Sequence, residues 1–502
     1  MGGSSQLAGV LVGLQAGKRM AMGSLREGAA RLAEVAALPS QRVLVIILIG
    51  LAVRLLVAPW TSWTQDVYPY YVVGTNTLDA LSVYDHAVFT YPPLFAAMCS
   101  LVGSVLSVFQ DPSAWGAVDY SMVPVGQLTT MVVPFITSPE FNLAMKAPVI
   151  LADLATGLAL FYLVRDKWGA EQAEKVLFLW FLNPLVIFVS SVHGQFDSLP
   201  ALMTVLATLF FYRQQYLLCG TAIGLGVMLK IYPLFLVPFY LAVLLLRWKD
   251  MRSEGRSLWD GLSPIYRLLA GGAASAALAI PFLVSSTSFI DFLTRRAAIS
   301  DIGGLNVWSV LGSMTDPKAL EMALGTDLAA LILVTSMAVA VVLGAVAARS
   351  LRGGDADPLM VLALGNVGVL TTTLFLQPVT NPQHLLWLFP FLCLLAVRER
   401  LATAQLFMLT VIGILYLVSL QSFWAYLYPA ARYGGWASVG ELNARITDYY
   451  ASANGTIPVN VLVITMAVLG ALVLLSLLLR RQTTWLVSYL RSRSGKTWEE
   501  VP

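Results

Sequence analysis

Charge is scarce in this sequence. Asp, Glu, Lys and Arg make up 12% of its 502 residues, where soluble domains carry about 25%. That excludes an ordinary soluble globular chain. The formal net charge is only +3 and no basic stripe is visible, which excludes a surface built for nucleic acid. Histidine and cysteine are rarer still, with three of each. Cys99, Cys219 and Cys393 are scattered in or beside apolar runs. They give neither a disulfide framework nor a metal-ligand spacing.

Apolar residues are what the chain has in plenty. They form 58% of it, and the mean hydropathy is +0.75. Runs near the length of a bilayer-spanning helix, about 20 residues, recur along the chain. The expected class is an all-α polytopic membrane protein. Spans are expected near 43–60, 143–164, 175–192, 197–212, 216–232 and 233–247, and again near 266–285, 327–348, 358–376, 383–397, 402–421 and 457–479. No cleavable signal peptide is evident in 1–42, which is expected to be a cytoplasmic, partly amphipathic arm. No 20–50-residue repeat or inverted half is apparent.

Lys and Arg cluster in 18–42, 165–175, 247–256, 349–352, 398–400 and 480–496, which the positive-inside rule assigns to the cytoplasm. The segment 61–92 is the opposite, with no Lys or Arg, three Asp and seven aromatic residues. It should face outward, as should 193–197, the turn near 230–233, 286–326, 377–382 and 422–456. The count leaves one choice open. Either the apolar stretch 93–110 lies along the interface or 120–137 also crosses, giving about 12 or about 14 spans. The Asp-x-Asp of "GGDADP" at 353–358 lies in a short inner loop and is expected to be a solvated turn.

The polar residues inside or beside apolar runs converge on the outer face. All three histidines, His86, His193 and His384, fall there by this topology. Asp66 sits shortly after the first span, in the loop that lacks Lys and Arg. It is either a loop acid or a carboxylate placed to accept a proton. Lys230 lies inside an apolar run ahead of Pro233. It can snorkel to headgroups or serve as a fixed cation. Asp153, seven residues after Lys146 in the same run, is expected to bond between helices, and Arg54 to snorkel outward. Arg295 and Arg296 are adjacent in the 286–326 loop.

An ordered set of short motifs carries a family likeness. They are Asp66, the "YDHAVFTYPP" stretch from Tyr84 to Pro93, and Lys146 with Asp153. Asn183–Pro184 then leads into "HGQFDS" at 193–198, followed by "KIYP" at 230–233 and Gln383, His384, Trp387 and Pro390. In this order, over roughly 66–390, the chain resembles multi-pass glycosyltransferases of the C-type fold that use a polyprenyl-phosphate sugar. Within that class it looks like the catalytic subunit of glycosylphosphatidylinositol mannosyltransferase I and the mycobacterial phosphatidylinositol-mannoside mannosyltransferases. It departs from the animal enzyme at HGQFDS, where an Arg-Gly-Asn type sequence stands, and at His384.

The resemblance implies a C-type glycosyltransferase fold of about 12–14 transmembrane helices with a functional first extracytoplasmic loop. It divides the chain into the 1–42 arm, a catalytic transmembrane module over 43–400, C-terminal helices over 401–480 with an outer loop at 422–456, and a cytoplasmic tail at 481–502. The implied reaction moves a hexose, mannose first, from a polyprenyl-phosphate donor to an extracytoplasmic lipid or glycan hydroxyl in one inverting displacement. Asp66 would be the base. Lys230, His384, Arg295 and Arg296 would meet the donor phosphate. His86, Tyr91, His193, Gln195, Asp197, Tyr232 and Gln383 would line the substrate site. No cofactor is required, and a divalent metal is left open because no acid cluster demands one. The implied setting is a prokaryotic plasma membrane with the site facing outside, or an endoplasmic reticulum with the site in the lumen. A lipid or sugar transporter is the alternative class. Its site would sit near mid-membrane between repeated halves.

Overall fold

The computed structural model describes residues 40–75, 83–84, 89–125, 129–253, 255, 257–285, 303–315, 327–352, 356–452 and 459–479. His86, Arg295 and Arg296, most of the 1–42 arm and the 481–502 tail lie outside these.

The chain is an all-α, multi-pass integral membrane protein. Its helices in order are α1 (Gln41–Val57), α2 (Thr64–Thr75), α3 (Pro93–Leu106), α4 (Pro139–Trp168), α5 (Ala170–Phe181), α6 (Pro184–Ile187), α7 (Ser198–Tyr212), α8 (Tyr216–Leu229), α9 (Val237–Ser253) and α10 (Leu258–Ala276). There follow α11 (Ile280–Ser285), α12 (Val307–Met314), α13 (Asp327–Arg352), α14 (Pro358–Leu376), α15 (Phe389–Ala396), α16 (Arg400–Gln421), α17 (Tyr428–Gly434), α18 (Val439–Ser452) and α19 (Val459–Leu477). Each of the twelve expected spans coincides with helix. Among the described residues, however, only five helices are long and apolar enough to cross alone, and a sixth span forms if α5 and the helix after it, bent by 43°, count as one. Prolines account for part of the difference. Pro184, Pro233, Pro382 and Pro390 begin short helical pieces, because a ring without an N–H cannot continue a preceding helix.

The stretch 120–137 is not a helical crossing. It belongs to an antiparallel hairpin of β1 (Gly116–Val125) and β2 (Thr129–Thr137), with a register shift between Val118 and Ser121. The 14-residue α3 before it is about 21 Å long, short of the roughly 30 Å hydrocarbon layer. A second, two-residue parallel pair joins Gly303–Gly304 to Val379–Thr380.

Small residues set the closest helix crossing. A Cβ on Gly220 of α8 would strike the Leu268 carbonyl of α10, and one on Gly271 would strike that of Leu217. Backbones meet directly there, which is how helices gain contact in lipid.

Buried ionic groups tie α1, α4 and the chain after α5 together. Arg54 Nε donates to Asp153 Oδ2 at 2.9 Å with both side chains fully buried, and Arg54 Nη1 donates to the Phe181 carbonyl at 2.8 Å. Arg54 therefore does not snorkel outward, because its charge is met inside by Asp153. Lys146 does not pair with Asp153. Its ammonium donates to the carbonyls of Ala58 at 3.0 Å and Ser191 at 2.8 Å, and to that of Thr61.

The segment after α1 is packed as an aromatic cluster. Phe95 of α3 stacks on Phe196 with ring centroids 3.5 Å apart, and Tyr70, Tyr91 and Phe141 close around them. Offset and edge contacts of this kind add about 0.5–1.5 kcal/mol per pair beyond burial. They hold α2 and α3 against the polar turn that follows α6.

Candidate active site

The polar turn is shaped by its own sequence. Asn183 caps α6, its Oδ1 accepting from the N–H groups of Leu185 and Val186 at 2.9 and 3.3 Å. Asn is among the best residues for this role. The helix then widens into a π turn over Phe188–His193, a form concentrated at functional sites. Gly194 ends it at φ 93°, a conformation open to glycine. The chain after it presents Gln195 and Asp197 before α7 begins.

Asp66 lies in the first turn of α2, where the helix dipole favours negative charge. Its Oδ2 is 2.6 Å from His193 Nε2, with the histidine fully buried and the aspartate side chain 24% exposed. Burial acts to raise the Asp66 pKa. It is outweighed by the His193 hydrogen bond and charge, with help from Gln195 and Lys230, so the carboxyl stays below its usual range. The other face of His193 is held as well. Nδ1 lies 3.3 Å from the Tyr426 hydroxyl, which also donates to Gln421. Two backbone bonds fix the frame, from Trp63 N–H to the His193 carbonyl at 2.9 Å and from Ser62 N–H to the Tyr426 carbonyl at 3.0 Å.

Gln195 links this dyad to the aromatic cluster. Its Oε1 accepts from the Tyr70 hydroxyl at 3.3 Å, and its Nε2 donates to the Tyr91 hydroxyl at 3.4 Å.

A second group of side chains continues from Asp197. Its Oδ1 accepts from Lys230 Nζ and from Trp387 Nε1, each at 2.7 Å, while Oδ2 is buried with no hydrogen-bond partner among the described residues. Lys230 reaches Asp197 because α8 stops at Leu229 and Lys230 itself is extended, with φ −157° and ψ 139°. The ammonium also lies 5.3 Å from the Phe196 ring centroid and 5.6 Å from that of Trp387. Trp387 carries Tyr232 stacked at 4.1 Å and His384 stacked at 4.5 Å. His384 Nδ1 is 3.1 Å from Gln377 Nε2. Gln383 is buried nearby in sequence, with Oε1 lacking a partner among the described residues.

Asp66, His193, Gln195, Tyr91, Asp197, Lys230, Tyr232 and His384 are thus joined through hydrogen bonds and ring contacts. Lys230 is not a lone cation, since Asp197 neutralises it. Tyr426, Trp63 and Gln377 belong to the same assembly and did not stand out in the sequence. The signal available for Tyr426 was its place in an aromatic-rich outer loop. Asp357 of the Asp-x-Asp string is no free solvated acid. It caps α14 through the Leu359 N–H at 3.0 Å and accepts from Trp168 Nε1 at 2.5 Å. Among the described residues, no three His, Cys, Asp or Glu side chains are grouped to hold a metal ion.

The arrangement is that of a multi-pass membrane protein with a polar, aromatic-walled site at the helix ends of one face. Comparison with known proteins gives that class particular relatives. Residues 54–296 match the family model described as GPI transamidase subunit PIG-U. The chain also resembles GPI mannosyltransferase 1. It is 28% identical to that of Saccharomyces cerevisiae over 212 residues, covering 41% of this chain and 49% of the yeast protein. It is 32% identical to that of Kluyveromyces lactis over 112 residues, covering 21% and 27%. For that of Candida albicans the identity is 25% over 134 residues, covering 26% and 33%. The chain spans about half the length, or less, of the curated relatives it matches.

Proposed function

We propose that this protein is a membrane mannosyltransferase. It moves a mannosyl group from a polyprenyl-phosphate donor to a hydroxyl of a lipid-linked or glycan acceptor at the extracytoplasmic face. The observation that carries this reading is the Asp66–His193 pair, 2.6 Å apart, at the edge of an aromatic-lined site that also holds Lys230 and His384. The resemblance to GPI mannosyltransferase 1 supports the sugar.

The reaction is a single displacement. Asp66 takes the proton of the acceptor hydroxyl as its oxygen attacks the anomeric carbon. The carbon–oxygen bond to the lipid phosphate breaks, the electron pair leaves with the phosphate, and the configuration inverts. The phosphodiester becomes a monoester and gains negative charge. In this reading Lys230 and His384 stabilise it, and such stabilisation of developing charge is a large catalytic term. Lys230 uses one of the three donors of its ammonium on Asp197. His193 orients Asp66 and keeps it ionised. Tyr91, half-buried, offers a flat apolar face for a sugar ring, whereas Tyr232 and Trp387 are buried against each other and back His384. The setting is a prokaryotic plasma membrane with the site outside, the endoplasmic reticulum lumen being its topological equivalent.

The test is sugar transfer by purified protein in detergent, with a short polyprenyl-phosphate-mannose and mixed lipid acceptors. Wild type should transfer mannose with inversion. Asp66→Asn should lose roughly a hundred- to ten-thousand-fold in rate, the usual contribution of a positioned base, while remaining folded in detergent. Transfer by the Asn variant at the wild-type rate removes Asp66 from the mechanism. Binding of the donor with no transfer in detergent would instead make the protein a carrier of such lipids.

A further inference from the structure

We propose that the face opposite the Asp66 site carries a binding pocket for the headgroup of one anionic phospholipid. A cavity of about 640 Å³ opens between the far ends of α7, α9, α13 and the start of α14. Phe211, Met251, Leu351 and Leu362 give it apolar walls, and Arg247 and Arg352 stand among its lining residues. The same helices hold the proposed active site at their other ends. Ser198 follows Asp197 at the head of α7, whereas Phe211 and Tyr212 are near its tail, about 20 Å away along the axis. Pro358 opens α14, and its last residue, Leu376, adjoins the Gln377 that meets His384, a rise of about 27 Å. The cavity and the site therefore face different leaflets.

Charge selects the occupant. Two arginines and one acid, Asp250, line the cavity, so two positive charges less one negative leave one positive charge. Arg352 is paired with Asp250, and both stay partly exposed, at 43% and 31%. Arg247 sits beside the Tyr216 hydroxyl and is exposed. A phosphate presented by a lipid at this depth meets guanidinium donors in a planar fork, while its glycerol and first methylenes meet the apolar wall. Basic pockets between transmembrane helices are a recurrent way to hold anionic headgroups. A second observation marks the same place. Gln214, which lines the cavity, has φ 59°. Gln215 N–H donates to the Phe210 carbonyl at 2.8 Å, so Gln214 is the left-handed residue of a helix stop. Glycine usually occupies that position. Here a residue with a long amide side chain keeps this strained conformation and lines the cavity.

Native mass spectrometry of the full chain in neutral detergent tests the proposal, with phosphatidylglycerol and phosphatidylcholine of equal chain length as probes. Wild type should retain one phosphatidylglycerol in clear preference to phosphatidylcholine. Arg247→Gln should cut that preference about tenfold, as expected for loss of one charge-assisted bond. Met251→Trp, which fills the cavity and leaves both arginines, should do the same. Lys175→Gln, an exposed lysine on α5 paired with Glu171, should leave it unchanged. Inorganic phosphate should not displace the lipid. A wild type without preference, a preference unchanged in both cavity variants, or displacement by inorganic phosphate would each overturn the proposal. None of these readings depends on sugar transfer.

Discussion

Replacing His193 separates orientation of the base from the base itself. Its bond to Asp66 is short, 2.6 Å, and the imidazole is fully buried. Hydrogen bonds to charged groups contribute about 1.5–3 kcal/mol, and each 1.4 kcal/mol is a factor of ten. His193→Leu should therefore reduce kcat roughly ten- to a hundredfold, less than Asp66→Asn, with donor KM almost unchanged. The pH profile is the decisive readout. In the native protein burial pushes the Asp66 pKa up, and the His193 bond and charge more than offset it. The carboxylate thus remains ionised and competent until pH falls below the ordinary carboxylate range. Stability from its ionised form is likewise present above the unfolded pKa and lost only as pH drops through the lowered one. In His193→Leu, burial is opposed only by Gln195 and Lys230, so the acid limb of kcat/KM should move to higher pH. His193→Gln restores a donor and should recover part of both effects. A Leu variant with native rate and an unmoved acid limb would refute the argument.

Two further expectations concern ion pairs. Arg54→Leu should lower the thermal midpoint in detergent by the equivalent of about 3–5 kcal/mol, because Asp153 is left buried and unpaired. Arg54→Leu with Asp153→Leu should recover much of that loss, and additive damage in the double variant would contradict the pairing. Lys230→Met should weaken binding of a non-transferable donor analogue about ten- to a hundredfold, but part of that loss comes from an orphaned Asp197. Lys230→Met with Asp197→Asn separates the terms. Native affinity in the double variant would place the phosphate elsewhere.

Helices and the gathering of Asp66, His193, Lys230 and His384 at one set of helix ends were legible in the sequence, because apolar length and Lys/Arg distribution are local signals. Asp66 stood out for the same reason, being an acid in a loop without Lys or Arg. Partners distant in sequence were not legible. Nothing near Lys230 announces Asp197, 33 residues before it, and nothing near Arg54 announces Asp153, 99 residues on. Arg54 therefore looked like a snorkelling side chain, and Lys230 like either that or a fixed cation with no acid beside it. The hairpin at 116–137 was ambiguous because a run of β-branched and apolar residues suits a strand as well as a span. Tyr426 was missed because its role depends on His193, 233 residues earlier. It also lies beyond the 54–296 family match, as do Trp387 and His384.

Lys146 bears on how the molecule is assembled. Its carbonyl partners lie 88 and 85 residues before it and 45 after it. During insertion the later partner does not yet exist, and a lysine in hydrocarbon costs up to roughly 2.5–3.5 kcal/mol. Ala58 and Thr61 offset part of that penalty, the last carbonyl comes only with Ser191, and Ser191 belongs to the turn that carries His193. Formation of the site and completion of the Lys146 carbonyl shell are therefore coupled late in assembly. A copy whose turn is misplaced also keeps an ammonium short of one of its three carbonyl partners. Well-folded molecules with a broken site should be a short-lived minority, and the yield of stable protein becomes a measure of correctly built sites.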